Sequence, residues 1–143
     1  MEPYHEKRDD HRSVRLDLTF EKHETITEEM INGYAEVIGD NNPIHLDEDY
    51  AKKSIFKTRI AHGILQACIL LSILGMEFPG IGTIYLSQTL KFIKPVFIGD
   101  IITFRLKVLE INKDKNRLHL ETTCSNQQDM TVMAGEAIVI PPI

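Results

Sequence analysis

The sequence predicts an α+β domain in which an antiparallel sheet wraps one long central helix. Residues 61–74 are apolar or small at nearly every position, among them Ile64, Leu65, Ala67, Leu70, Leu71 and Ile73. A helix that is apolar on all faces belongs inside a fold. Four segments rich in Val, Ile, Thr and Phe follow, near 82–93, 99–111, 116–126 and 130–140. Turn residues at Pro95 and Gly99-Asp100, at 112–116 and at 126–129 separate them, which reads as antiparallel strands. One buried helix and four long strands have a natural solution, a sheet curled around the helix. Pairing with a second copy would cover a sheet edge, which predicts a homodimer or a higher homo-oligomer.

The elements before the central helix follow from local signals. Residues 13–20 alternate Val14, Leu16, Leu18 and Phe20 with polar residues, the pattern of a half-buried strand. Thr25 and Glu28 have capping-box spacing, and Met30, Ile31, Tyr34, Val37 and Ile38 recur at helical spacing. Gly39 suits the turn that ends such a helix. A loop over 40–46 follows, then a short helix over 47–53 opened by acidic residues. Residues 1–12 are charged and read as a disordered tail, leaving 13–143 as a single domain.

At 143 residues the chain has room for one domain with a sizeable core. Its net charge of −5 counts against a nucleic-acid partner. The run 64–76 is too short and too interrupted to span a bilayer. The charged start carries no secretory signal, so a cytoplasmic location is expected. Cys68 and Cys124 form no CxxC and read as buried free thiols. His5, His11, His23 and His119 have no neighbours at metal-ligand spacing, so no metal site is expected.

Two clusters carry chemistry. The first is Gly39-Asp40-Asn41-Asn42-Pro43-Ile44-His45. A carboxylate and an imidazole this close can share one water, the first orienting it and the second exchanging its proton near neutral pH. Pro43 restricts its own backbone and that of Asn42, so the separation would be held. The spacing alone equally suits an Asx-type turn with a surface histidine. The second cluster is Ala61-His62-Gly63-Ile64 at the start of the apolar helix. Free N–H groups in a first helical turn suit a developing negative charge, and Gly63 would let a carbonyl come close. A plain helix start with His62 packed or capping fits the same residues. Lys52, Lys53, Lys57 and Arg59 form a short basic patch, read first as a solvated face and second as a contact for coenzyme phosphates.

With Tyr34 before it and Ala51 after it, the first cluster resembles the hydratase motif of the MaoC-like hydratases, which include the (R)-specific enoyl-CoA hydratases. Four further stretches match in the family's order: Arg59-Ile60-Ala61-His62-Gly63, residues 79–86, residues 95–100 and Gly135-Glu136-Ala137. The resemblance covers about residues 20–141 and implies a dimeric hot-dog fold. It also implies reversible hydration of trans-2-enoyl thioesters to (R)-3-hydroxyacyl thioesters, with Asp40 and His45 as the catalytic pair. The Gly63 N–H would bind the thioester oxygen, Asn42 and His62 would complete the substrate site, and no cofactor is implied beyond the coenzyme A of the substrate. Where some members carry a serine on the central helix, this chain has Leu71.

Three alternatives stand beside this reading. A 3-hydroxyacyl-[acyl-carrier-protein] dehydratase would use the same residues on another carrier, although an acidic carrier would meet repulsion from the net charge. A hot-dog thioesterase would need a carboxylate on the central helix, and 63–75 has none. A non-catalytic acyl-CoA-binding module would gain nothing from the Asp40–His45 pair.

Overall fold

The computed structural model describes residues 14–142. The expected tail at 1–12 lies outside them, as does Ser13. In chain order the elements are β1 (Thr19–Thr25), α1 (Glu28–Ile38), α2 (Pro43–Leu46), α3 (Glu48–Lys52), α4 (Gly63–Met76), β2 (Ile84–Gln88), β3 (Lys91–Phe92), β4 (Ile101–Asn112), β5 (Arg117–Ser125) and β6 (Thr131–Ile140). All strand pairs are antiparallel, in the order β1-β4-β5-β6-β2, and β3 also pairs with β6. The inner sheet face supplies Phe104, Leu106, Val108, Leu118, Leu120, Met133 and Val139 to one core. From α4 come Leu65, Leu70, Ile73 and Leu74. This is the α+β arrangement of a sheet around one helix that the strand alternation and the apolar helix predict, and it is the hot-dog fold that the resemblance implies.

Four details differ from the sequence reading. Residues 15–18 form a turn closed by Leu18 N–H on Arg15 O (3.2 Å). The first strand therefore starts at Thr19, and its polar residues 21–24 hide the alternation from the sequence. The cap of α1 is Thr27, whose hydroxyl accepts from Met30 N–H at 3.2 Å, because Ile26 must first enter the core. Its apolar face ends at Ala35, and Val37 is 83% exposed. The third detail concerns α4, which is buried on one side only: Ile64, Cys68 and Leu71 form an exposed stripe at helical spacing, and Met76 is exposed at the helix end. Cys68 is thus exposed, whereas Cys124 is buried and its thiol is pushed up to about 12 by desolvation. Finally, the segment 82–93 is broken between β2 and β3. There the chain crosses β6 so closely that a Cβ on Gly135 would lie 1.8 Å from the Thr89 carbonyl oxygen.

Among the described residues no helix is long and apolar enough to cross a membrane.

Candidate active site

Helix α1 ends at Gly39, whose φ of 81° reverses the chain in a conformation that favours glycine. Asp40 follows directly. Its Oδ1 accepts the Asn42 N–H at 3.3 Å, and the Asn42 Oδ1 accepts the Ile44 N–H at 3.2 Å, capping α2. Pro43 begins that helix, where its missing N–H costs nothing. His45 therefore projects from a short helix braced by Asn42, not from an open loop. Asn42 itself is exposed, and its side-chain oxygen is committed to the cap.

The His45 Nδ1 lies 2.8 Å from the Ile60 carbonyl oxygen. A carbonyl only accepts, so in the neutral ring Nδ1 carries the hydrogen and Nε2 keeps the lone pair. Burial holds the His45 imidazole below the ordinary histidine value. The bond to Ile60 opposes that shift, His62 adds to it, and Asp40 opposes it.

His62 sits beneath the pair. It is 3% exposed, its Nε2–H donates to the Asp40 carbonyl at 3.1 Å, and its ring stacks on His45 with centroids 3.9 Å apart. The Tyr34 ring closes its other side at 4.7 Å. A carboxylate oxygen of Asp40 and one nitrogen each of His45 and His62 lie within 4.8 Å of one another. That is about the span one water bridges with two hydrogen bonds. In a neutral His62 ring the Nε2 carries the hydrogen given to the Asp40 carbonyl, so that nitrogen offers no lone pair to an ion.

Helix α4 begins one residue beyond His62. No side chain caps it, and although the Leu65 N–H is bonded to the His62 carbonyl (3.0 Å), those of Gly63 and Ile64 stay open to a ligand. A cavity of about 460 Å³ opens there. Gly63 and His45 line it together with Phe56, Ile60, Phe92, Val132 and Met133. A Cβ on Gly63 would lie 3.0 Å from the Phe92 ring, so the glycine admits that ring to the helix start.

The structure brings Asp40, His45, His62 and Gly63 together, with Asn42 as a brace. Sequence reading missed two residues. Arg59, expected on a basic surface, is 8% exposed and bonded to the His45 carbonyl, to Glu28 and to Asn32. Its place in the stretch 59–63 was the available signal. Gln66, 4% exposed, is a buried polar group in the wall of the mostly apolar cavity. With its amide nitrogen turned to the helix start, it donates to the carbonyls of His62 (2.7 Å) and Gly63 (2.5 Å). A lone Gln in an apolar run marks such a position.

The chain as a whole is similar to known proteins. The MaoC-like domain model matches residues 12–130. The chain is 44% identical over 117 residues to a 3-hydroxybutyryl-CoA dehydratase of Methylorubrum extorquens, covering 82% of this chain and 74% of that protein. It is 43% identical over 118 residues to an (R)-specific enoyl-CoA hydratase of Rhodospirillum rubrum, covering 82% and 81%. The R-hydratase PhaJ1 of Pseudomonas aeruginosa superposes with a TM-score of 0.88 at 39% identity, covering 92% of this chain and 84% of that one. Fold, motif order and relatives thus agree, and the chain belongs to the MaoC-like domain family.

Proposed function

We propose that this chain is a hydro-lyase that reversibly hydrates trans-2-enoyl-CoA thioesters to (R)-3-hydroxyacyl-CoA. One observation carries the proposal: two acceptors close enough to share a water, Asp40 and His45, stand beside an uncapped helix start at the mouth of an apolar cavity.

The Asp40 carboxylate and the His45 Nε2 each accept one hydrogen of that water, which leaves its oxygen free to attack the β carbon. As the C–O bond forms, His45 takes a proton and the π electrons move onto the thioester oxygen. The Gly63 N–H at the helix start stabilises this enolate. The pair then returns the proton to the α carbon, so one water is added and nothing else is exchanged. The reaction needs no redox group, and coenzyme A enters as part of the substrate. Asn42 and His62 act from behind, bracing the loop and backing the imidazole. A thioesterase reading is disfavoured because α4 carries no carboxylate.

Loss of enoyl absorbance from crotonyl-CoA, followed by chiral analysis of the product, tests the reading. An (R)-3-hydroxy product supports it, and an (S) product or free acid overturns it. Run across pH, the rate should hold as pH falls to the ordinary histidine value and drop only below it. The reason is that burial keeps His45 unprotonated to lower pH. A drop that begins above that value would remove His45 as the base. The same enoyl group on acyl carrier protein should react more slowly, since a net charge of −5 repels an acidic carrier.

A homodimer is proposed with this activity. The exposed stripe of Ile64 and Leu71 lies on the same chain as an exposed apolar sheet edge bearing Ile84, Leu86 and Phe92. Light scattering at micromolar concentration should give about twice 16.4 kDa, or a multiple of that. An active monomer would contradict it.

A further inference from the structure

We infer that Arg59 is a positioning residue of the hydration reaction, fastening the His45 main chain to the helix from which Asp40 emerges. The inference rests on the roles of Asp40 and His45 proposed above. The Arg59 Nε donates to the His45 carbonyl at 2.7 Å, Nη1 to the Glu28 Oε1 at 2.7 Å, and Nη2 to the Asn32 Oδ1 at 3.1 Å. Glu28 and Asn32 are four residues apart on α1 and so share one face. A guanidinium holds its donors in a planar fork, which lets one side chain reach a main-chain oxygen and two helix side chains together. Glu28 also balances a cation that is nine-tenths buried and would be costly alone.

Asp40 is tied to α1 directly, through Gly39. His45 lies five residues further on, and through the chain alone it would be referred to α1 only by the stretch 40–44. Arg59 closes the circuit. Its bonds refer the His45 end of the stretch to the first turns of α1, so both acceptors are measured from one rigid body. Two acceptors that share a water tolerate little drift in their separation, and small misplacements cost rate steeply. Arg59 does not line the cavity, and its bond goes to the His45 main chain, not to the ring. Its loss should therefore appear in kcat and leave substrate binding nearly intact.

The test is Arg59→Lys, which keeps the charge and loses the fork. With crotonyl-CoA, kcat should fall about tenfold or more while KM moves less than about threefold. Glu28→Gln should lower kcat by a smaller factor. Adding it to Arg59→Lys should cost little more, because both act through one clamp. In proton NMR the His45 Nδ1–H signal should broaden in Arg59→Lys, a readout that needs no turnover. A folded Arg59→Lys with parental kcat overturns the inference, as does a double variant whose losses simply multiply. If Arg59→Lys fails to fold, Glu28→Gln and Asn32→Ala carry the test: reduced kcat at constant KM supports the clamp, and unchanged kcat rejects it. Should the parent chain not hydrate crotonyl-CoA at all, the proposed reaction fails and the NMR comparison alone judges the clamp. An unaltered His45 signal then rejects it.

Discussion

Asp40→Asn, and likewise His45→Gln or His45→Ala, lowers the hydration of crotonyl-CoA by about a hundredfold or more while the fold survives. The amide of Asp40→Asn keeps an oxygen for the Asn42 N–H, now 3.3 Å from the Asp40 Oδ1, so the turn should hold. What it loses is acceptor character. One of its two arms now donates, and a water can no longer point both hydrogens at protein acceptors. Gln at position 45 can hold a water but cannot take its proton. Neither residue is part of the apolar core, and the Asp40 side chain is about half exposed, so stability should change little. Steady-state kinetics with circular dichroism on the same samples checks both statements. A folded variant at either position with near-parental turnover would overturn the assigned chemistry.

The second large effect is at the helix start. Gly63→Val depresses turnover strongly and Gly63→Ala less so, in kcat as well as KM, because the oxygen contact strengthens as the enolate develops. The structure adds a second cause. A Cβ at this position meets the Phe92 ring at 3.0 Å, and that ring is 51% exposed and able to give way. The double variant Gly63→Ala with Phe92→Leu separates the two. If the defect comes from the collision with Phe92, the smaller partner restores the rate. If the added carbon obstructs the thioester oxygen, the loss persists. His62→Ala is the comparison and should lose less, since His62 supports the pair and does not reach the substrate. Parental hydration by Gly63→Val would mean that the oxyanion binds elsewhere.

Much of this was legible in the sequence because short-range chemistry dictated it. Gly39 after an amphipathic stretch and the acidic residues opening 47–53 each specify their own turn or start, whereas the four-residue helix Pro43–Leu46, too short for a periodic pattern, reads as part of a loop. The segments forming β4, β5 and β6 announce themselves by alternation, since one face of each is buried. Central helix α4 was harder to read. Its composition says "buried", yet the stripe of Ile64, Cys68 and Leu71 faces outward in the single chain, because composition alone does not say which apolar face the sheet covers. Strand β1 was displaced for another reason: its burial alternates, but on an edge the inward positions Lys22 and Glu24 stay only half-buried and polar, so the period of two is not written as apolar against polar. Arg59 was misread because burial of a cation depends on partners 27 and 31 residues away, Asn32 and Glu28. No local pattern encodes that.

Gly135 bears on how such a chain could be remade for other substrates. The Thr89 carbonyl oxygen stands where its side chain would begin, and a backbone oxygen cannot swing aside as a flexible side chain can. Two bonds pin the crossing in place, Thr89 N–H to Glu136 O and Glu136 N–H to Thr89 Oγ1, both at 2.9 Å. The crossing leads straight into β3 and the stretch 92–96, which forms one wall of the cavity. Val132 and Met133, on the same strand as Gly135, line the cavity and also belong to the buried core, so apolar exchanges there would reshape the chamber directly at a cost in packing. A directed-evolution library should therefore randomise those two positions and hold Gly135 fixed. Any side chain there would lift the cavity wall off the sheet, discarding the scaffold against which every other exchange is being tried.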